Sequence, residues 1–353
     1  MLRLLVFVFL FLVTGCATEQ TIESNIRPAT VEEYYATDRD FIGDIEHGKL
    51  YGNNRATMTY GYMKLSRPQY HVMGCLQKDG LAGDSLKCFV LRQHKLWKTE
   101  REFLTELFGK EKRGAAKDIL LYVHGFNTTF EKAAVTMAQV VSDLDFRGNA
   151  IFFSWPSNGK MLGYVGDQNN TEWSSKNLKA FLKDIAQKAS PKSICIIAHS
   201  MGNRETVSAF AGLMADAPEL RDRFRLIIMA APDVDSTIFE RDFAPVLTRS
   251  GALVTLYVSR NDRAMRVSKN VNGYVRLGGV DEYPLVLPGI DTVDVTNVDN
   301  DYPGHDYFAT SRLVLSDIYY MINHKLAAKD RFSLSPARYT KDGETRTYWI
   351  FKK

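Results

Sequence analysis

One stretch of the chain, residues 193–204 (SICIIAHSMGNR), limits the possible folds more than any other. A run of apolar and β-branched residues stops at Ser200, and apolar side chains then recur at helical spacing. A strand that turns into a helix within about four residues forces the residue at the bend towards positive φ, and small residues must flank it two positions away. Ala198 and Gly202 occupy those positions. The stretch therefore predicts the strand, bend and helix of a nucleophile elbow, with alanine in place of the usual first glycine.

Strands and helices are predicted to alternate along most of the chain. Short apolar runs bounded by turn residues predict strands, and the stretches with helical spacing between them predict helices. The predicted strands are 119–123, 150–153, 193–198, 225–231, 252–259 and 292–298, and the predicted helices are 97–108, 130–144, 174–189 and 203–215. Such alternation requires parallel pairing with right-handed crossovers. The sequence thus predicts an α/β fold with a mostly parallel central sheet and helices on both faces.

The two ends of the folded part have sequence patterns typical of antiparallel strands. Aromatic and β-branched runs broken by Gly and Asn, within 34–41 and 48–65, predict antiparallel strands at the N-terminal edge of the sheet. At the other end, a Lys-Asp-Gly turn between alternating residues of 338–351 predicts a β-hairpin.

Ser200 is the candidate nucleophile, and it needs a base to remove its proton and an acid to orient that base. In folds built around an elbow, the order along the chain is serine, acid, histidine. Two histidines follow Ser200. His305 lies in a polar loop after the last strand of the predicted parallel sheet, whereas His324 lies in a helical stretch, so His305 is the favoured base.

Three aspartates are candidates for the acid. Asp262 directly follows the strand VTLYVS, while Asp233 and Asp235 follow the strand before it. Carboxylates in such places are also common turn and helix-cap residues. The position after the later strand favours Asp262, with Asp233 as the first alternative and Asp235 as the second.

An acyl-transfer site also needs two donors for the developing oxyanion. The backbone N–H of Met201 lies at the start of the predicted helix, where the helix dipole favours negative charge. The backbone N–H of Phe126 follows Gly125 in the loop after the first long strand, and glycine allows a close approach of the backbone there. His124 is interpreted as a residue that braces this loop and not as a second base.

The chain resembles the bacterial α/β-hydrolase family catalogued as domain of unknown function 900, whose members are similar to serine esterases. The resemblance covers residues 34–326 and depends on the order of these strings: YVHGFN (122–127), FSWPSNG (153–159), AHSMGN (198–203), AAPDVD (230–235), VSRNDRAM (258–265), RLG (276–278) and GHDYF (304–308). It implies the α/β-hydrolase fold, a triad of Ser200, Asp262 and His305, and an oxyanion hole at Phe126 and Met201. One departure is Asp306, where a serine commonly follows the histidine.

These residues predict a serine hydrolase that acts on a small-molecule or lipid carboxylic ester and needs no cofactor. The same groups could transfer the acyl group to an acceptor other than water, or cleave a thioester or amide. An envelope protein that keeps the fold as a silent binding module is the alternative from another class. Residues 283–289 (YPLVLPG) are either a cap over the serine or ordinary core, and the sequence leaves both open.

The N-terminal residues predict export and lipid anchoring. Arg3 is followed by ten apolar residues, too few to span a bilayer but suitable for a signal peptide. The following Val-Thr-Gly-Cys resembles a bacterial lipobox, which predicts cleavage before Cys16 and acylation of its thiol. We therefore expect a signal peptide at 1–15, a flexible tether at 16–33, one hydrolase domain at 34–353, and a location at the bacterial cell envelope, with the outer membrane favoured.

Charge and cysteines limit the partners further. The formal net charge of +4 falls by one when Arg3 is removed, so no nucleic-acid partner is expected. Cys75 and Cys88 flank a short polar loop, and export to an oxidising compartment predicts a disulfide between them. Cys195 lies within an apolar strand and is interpreted as core. No metal-ligand spacing of Cys or His is present, so no metal site is predicted.

Overall fold

The computed structural model describes residues 30–75, 81–109, 118–190, 192–298 and 304–352. In these ranges, eleven strands form one sheet. The strands are β1 (Thr30–Asp44), β2 (Lys49–Ser66), β3 (Val90–Trp97), β4 (Ile119–Val123), β5 (Asn149–Ser154), β6 (Ile194–His199), β7 (Phe224–Ala230), β8 (Leu253–Val258), β9 (Ile290–Asp294), β10 (Leu334–Lys341) and β11 (Glu344–Phe351). The helices are α1 (Glu100–Gly109), α2 (Phe130–Asp143), α3 (Tyr164–Lys188), α4 (Gly202–Asp216), α5 (Ser236–Ile238), α6 (Ala244–Arg249), α7 (Arg263–Asn272), α8 (Tyr307–Thr310) and α9 (Arg312–His324).

The strand order is β10-β11-β9-β8-β7-β6-β4-β5-β1-β2-β3. Pairing is parallel from β11 through β1, and antiparallel only at the two ends, between β10 and β11 and across β1, β2 and β3. This is the predicted mostly parallel sheet with antiparallel N-terminal edge strands. The carboxyl ends of the parallel strands therefore meet at one edge, where ligands of such sheets bind.

Both faces of the sheet are covered, which explains why the central strands are apolar throughout. Every residue of β4, β5, β6 and β7 is buried. Alternate residues of one strand enter different cores: Leu121 contributes to the core that contains Phe103 of α1 and Phe181 of α3, whereas Leu120 contributes to the core that contains Met137 of α2. The predicted helices on both faces are confirmed.

The N-terminal boundary of the fold differs from the prediction. β1 begins at Thr30, and both Val31 and Glu33 are buried, so the last four residues of the predicted tether belong to a strand. Pairing with β2 makes this polar segment a strand, with Thr30 opposite Ser66 and Val31 opposite Leu65, and its residues alternate between exposed and buried. The predicted signal peptide, Cys16 and the rest of the tether lie outside the described residues.

Helix α3 begins at Tyr164, ten residues before its predicted start. Its first turns have no continuous apolar stripe and are held instead by polar tertiary contacts. The carboxylate of Asp167, which is fully buried, accepts hydrogen bonds from the Ser157 hydroxyl at 2.6 Å and the Asn158 backbone N–H at 2.9 Å. Such contacts leave no periodic signal in the sequence.

The C-terminal hairpin forms as predicted, with Asp342 and Gly343 of its turn at φ +52° and +79°. Its second strand continues the parallel sheet, since Trp349 of β11 is opposite Val293 of β9. Among the described residues, no helix is both long and apolar enough to cross a membrane.

The predicted disulfide between Cys75 and Cys88 is wrong, because Cys75 has a free thiol. The two residues belong to different local structures. Gly74, next to Cys75, donates its backbone N–H to Asp143 of α2 at 3.1 Å, and Cys75 remains exposed. Cys88 is buried, and its backbone N–H donates to Asp84 at 2.8 Å.

Candidate active site

Ser200 lies between β6 and α4 at the carboxyl edge of the sheet, with a φ of +50°. The side chain is buried, with 4% of the residue exposed. The bend is fixed by hydrogen bonds: the Ser200 N–H donates to Ala230 at 2.9 Å, and its carbonyl accepts from the Asp233 N–H at 3.1 Å. Gly202 has no room for a side chain, because a Cβ there would lie 2.2 Å from the His124 carbonyl oxygen. The expected elbow is therefore present, with a strained serine at its apex.

His305 and Asp262 form a hydrogen-bonded pair at the same edge. The distance between His305 Nδ1 and Asp262 Oδ2 is 2.8 Å. Asp262 is fully buried and caps α7, since its Oδ1 accepts the Met265 N–H at 3.1 Å. Because Nδ1 donates to the carboxylate, the neutral imidazole has its free lone pair on Nε2. The His305 side chain keeps 22% of its surface exposed.

Opposing effects set the pKa of His305. Burial alone disfavours the charged imidazolium, but the carboxylate of Asp262, with smaller contributions from Asp306 and Asp233, outweighs burial and raises the pKa above its ordinary value. The site thus stabilises positive charge on this ring.

Asp233, the first alternative acid, has other partners. Its Oδ2 accepts a hydrogen bond from Tyr164 at 2.7 Å, and its Oδ1 accepts one from Ser268. The Arg204 guanidinium approaches both carboxylate oxygens at 3.4 Å. We call Tyr164, Arg204, Asp233 and Ser268 the Asp233 cluster. It borders the elbow but its carboxylate makes no hydrogen bond to His305.

Two further sequence candidates also lie elsewhere. Asp235 caps α5, accepting the Thr237 N–H at 2.9 Å, and forms an ion pair with Arg276 at 3.3 Å. His324 is exposed at the last residue of α9, where its ring contacts Tyr320. Of the three aspartates and two histidines considered, only Asp262 and His305 pair with each other.

The predicted oxyanion donors flank the serine. A Cβ on Gly125 would lie 2.8 Å from the Ser200 Cβ, so the loop containing Phe126 packs directly against the elbow. Met201 is the residue before α4, a helix of fifteen residues. In the described part of the chain, the N–H groups of Phe126 and Met201 donate to no protein acceptor. Both are available to a substrate oxygen.

His124 braces this loop, as interpreted from the sequence. It is fully buried, its Nδ1 donates to the Gly125 carbonyl at 2.9 Å, and its Nε2 accepts from Ser154 at 3.2 Å. Burial, reinforced by the nearby Arg39 charge, lowers its pKa well below the ordinary value. Arg39 is itself fully buried and donates to the Thr128 carbonyl at 2.7 Å. A neutral His124 and a charged Arg39 thus hold the loop that contains Phe126.

His199 is a residue of the site that sequence reasoning missed. Its Nε2 donates to the His305 carbonyl at 3.1 Å, and the two rings lie 4.8 Å apart between centroids. Burial, with the neighbouring His305 charge as a second cause, lowers the pKa of His199 to about 4, so the ring is neutral. A polar residue at the end of a buried strand, directly before the nucleophile, was the available signal.

Residues 283–289 pack against the sheet, as the alternative to the cap hypothesis predicts, although only Pro284 of the stretch is buried. Leu285 and Leu287 pack against the core on one face of the sheet. The Pro284 carbonyl accepts a hydrogen bond from Tyr339 of β10 at 3.0 Å, and the Tyr283 and Tyr339 rings stack at 4.4 Å. The C-terminal hairpin therefore holds this stretch along the sheet.

No group of three or more His, Cys, Asp or Glu side chains in the described ranges is placed to hold a metal ion. The groups at this edge of the sheet are a serine at a strained bend, an imidazole paired with a buried carboxylate, and two backbone N–H groups without a protein acceptor among the described residues.

These features define the class as α/β hydrolase. The family model described as "Alpha/beta hydrolase of unknown function (DUF900)" matches residues 99–323, which is more than half of the chain. The chain belongs to this family.

Other proteins are more distantly similar. An uncharacterized protein of Nostoc sp. is 28% identical over 117 residues, a match that spans 26% of this chain and 30% of that protein. An esterase from Pyrobaculum calidifontis has 11% identity and a TM-score of 0.34, covering 61% of this chain and 79% of its own. The carboxylesterase EstE1 from a metagenomic library has 11% identity and a TM-score of 0.36, covering 83% and 89%.

Proposed function

We propose that this protein hydrolyses carboxylic esters through an acyl-serine intermediate, with Ser200 as nucleophile, His305 as base and Asp262 as the acid that orients it. The observation that carries the proposal is the contact between the elbow and the loop that contains His305. Ser200 has positive φ at the end of β6, and the residue before it, His199, is hydrogen-bonded to the backbone of His305. The imidazole and the hydroxyl therefore belong to the same edge of the sheet.

In the acylation step, the Ser200 oxygen bonds to the ester carbonyl carbon while its proton passes to Nε2 of His305. Collapse of the tetrahedral intermediate breaks the bond to the alcohol oxygen, which takes the proton from His305 and leaves. Water then attacks the acyl-serine with His305 as base again, releasing the carboxylic acid and restoring the hydroxyl. The buried Asp262 carboxylate stabilises the imidazolium that forms in each half.

The oxyanion of each intermediate is stabilised by the N–H groups of Phe126 and Met201. Neither N–H donates to a protein acceptor among the described residues, and the buried His124 and Arg39 hold the loop that contains Phe126, so little reorganisation of this loop is needed when the charge develops. The N-terminus of α4 adds a favourable dipole at Met201.

The same groups support acyl transfer or thioester cleavage, because these reactions share the acyl-serine and differ only in the bond that is broken. Hydrolysis is favoured because His305 keeps part of its surface exposed, so that water can reach the acyl-serine. A silent binding module would not need a strained Ser200 beside a carboxylate-paired imidazole.

Turnover of p-nitrophenyl esters of graded acyl length tests the proposal. We expect hydrolysis by the purified wild type, and a loss of about 10⁴-fold or more in kcat for Ser200→Ala. Ser335→Ala, on β10 away from the site, is the matched control and should retain activity. A folded wild type that turns over no ester of the series would reject the proposal.

We also propose that the mature chain is anchored by lipid at Cys16 and located at the bacterial cell envelope. The support is the sequence alone: one cation, ten apolar residues and a cysteine at the expected cleavage position. Mass spectrometry of the N-terminal peptide should show a mature N-terminus at an acylated Cys16. An unmodified peptide with another first residue would overturn this proposal.

A further inference from the structure

A cavity of about 590 Å³ lies beside the candidate active site, between α3, α4, α5 and the segment after α7. Its apolar lining includes Val207, Val234, Ile238 and Phe243. Two guanidinium groups, those of Arg204 and Arg276, also line it. The cavity therefore combines an aliphatic wall with two cations, a combination that suits an anion on a short carbon chain.

The arginines keep unused donors. Arg276 is 4% exposed; its Nε donates to the Tyr274 carbonyl at 3.0 Å and its Nη2 to Asp235 at 3.3 Å. Arg204 donates through Nε to the Asp233 carbonyl at 2.7 Å and through Nη2 to the Tyr164 hydroxyl and the Asp233 carboxylate. A guanidinium has five N–H donors, and within the described residues neither Nη1 donates to a protein acceptor. Both arginines can therefore bind one more anionic group.

The acids around the cavity are already engaged. Asp235 accepts from the Thr237 N–H and hydroxyl with one oxygen, and from Arg276 with the other. Asp233 is engaged within its cluster. Glu172 lines the cavity but is exposed to solvent. The charged groups of the cavity that still have free hydrogen-bond donors are thus the two guanidinium groups, which are positive.

The cavity adjoins the elbow through Arg204, which lines it, and through Asp233, the residue before its lining residue Val234. Arg204 is one helical turn after Ser200, and the Asp233 N–H donates to the Ser200 carbonyl. The Tyr164 ring packs against Phe126 of the oxyanion loop, with centroids 5.4 Å apart. None of the described residues 304–310, which contain the base, lines the cavity. The cavity therefore lies on a side of the elbow that the loop of the base does not occupy.

We propose that this cavity binds the free end of the acyl chain and that the preferred substrates are esters whose acyl group ends in a carboxylate. Arg276 and Arg204 bind the carboxylate, and Val207, Val234, Ile238 and Phe243 contact the methylene groups. This inference rests on the proposed ester hydrolysis.

The test compares mono(p-nitrophenyl) adipate with p-nitrophenyl hexanoate, which have acyl chains of equal length and differ in the terminal charge. Arg276→Gln should lower the ratio of kcat/KM for the adipate to that for the hexanoate by about tenfold or more. Arg266→Gln, which removes an exposed charge of α7 outside the cavity, should change the ratio less than about twofold.

A second variant guards against misfolding of the buried Arg276 site. Ile238 is 43% exposed, so Ile238→Glu can be accommodated, and its charge should repel the adipate and lower the same ratio. Ile238→Gln is its uncharged control and should leave the ratio nearly unchanged. Hydrolysis of the hexanoate with ratios unaffected by Arg276→Gln and Ile238→Glu would overturn the cavity proposal alone. Hydrolysis of neither ester would overturn it together with the proposed function.

Discussion

Asp262 and Asp233 follow neighbouring strands of one sheet, and both are buried, yet their surroundings differ. Asp262 offers one oxygen to the backbone of α7 and the other to His305. Asp233 is surrounded by Tyr164, Ser268 and Arg204. Position and burial are common to both residues, so it is the partner, His305, that makes Asp262 the candidate triad acid.

The two carboxylates also have different tasks at the carboxyl edge of the sheet. The Asp262 pair stabilises a charge that appears on His305 only during the reaction. The Asp233 cluster is a permanent network that ties α3, α4 and α7 together through side chains. Substitutions can therefore distinguish a loss of catalysis from a loss of structure.

Among substitutions that separate the two carboxylates, Asp262→Asn should have the larger effect. The amide cannot stabilise the imidazolium, so kcat for a p-nitrophenyl ester should fall by about 10³- to 10⁴-fold. Asp233→Asn should lower kcat for the same neutral ester less than about tenfold while reducing thermal stability, measured as Tm, because it weakens the cluster. Normal activity in Asp262→Asn with an inactive Asp233→Asn would reverse the assignment.

Gly125→Ala should have the next largest effect. An added Cβ would meet the Ser200 Cβ at 2.8 Å, which forces the oxyanion loop away from the elbow. The loss of one well-placed donor lowers kcat by about 10²-fold. Gly343→Ala, at an exposed turn with positive φ, is a control for destabilisation and should keep its kcat. Equal kcat in wild type and Gly125→Ala would show that this loop does not serve the oxyanion.

His199 connects the serine side of the site to the Asp262 pair, so its removal should affect the Asp262 pair and not the Asp233 cluster. His199→Phe keeps the ring packing but loses the hydrogen bond to the His305 carbonyl, and kcat/KM should fall by about tenfold. His199→Gln can place a donor near the same position and should recover part of the loss. An unchanged kcat/KM in both variants would mean that His199 only fills space.

The smallest expected effect is a shift in pH dependence. His305 accepts a proton only when neutral, and its pKa is raised by Asp262, so kcat/KM of the wild type should increase with pH to a midpoint above about 6.5. The residual activity of Asp262→Asn should have a lower midpoint, and Asp306→Asn should shift it less in the same direction. A wild-type midpoint well below 6.5 would contradict the charge distribution around the ring.

The sequence predicted the parts of this arrangement that depend on local patterns. Strands β4 to β8 were placed within one residue because their apolar runs are short and bounded by turns, whereas β9 ends four residues before its predicted end. The strained bend at Ser200 followed from its small neighbours. The order of preference among three aspartates agrees with the observed contact to His305.

The rest depends on contacts between distant segments. The early start of α3 comes from the buried Asp167, and the bond from His199 to His305 joins residues far apart in the chain. Residues 283–289 pack against the sheet because a C-terminal hairpin holds them. The disulfide prediction failed for the same reason: short spacing does not show that Gly74 is held by α2. None of these contacts has a periodic or local signature.

Covalent labelling with a fluorophosphonate probe shows whether His305 activates Ser200, because the probe reacts with serines that a neighbouring base activates. Peptide mass spectrometry should place the adduct on Ser200 in the wild type, and both Ser200→Ala and His305→Ala should remain unlabelled. A folded wild type without an adduct, or with the adduct on another residue, would contradict the account.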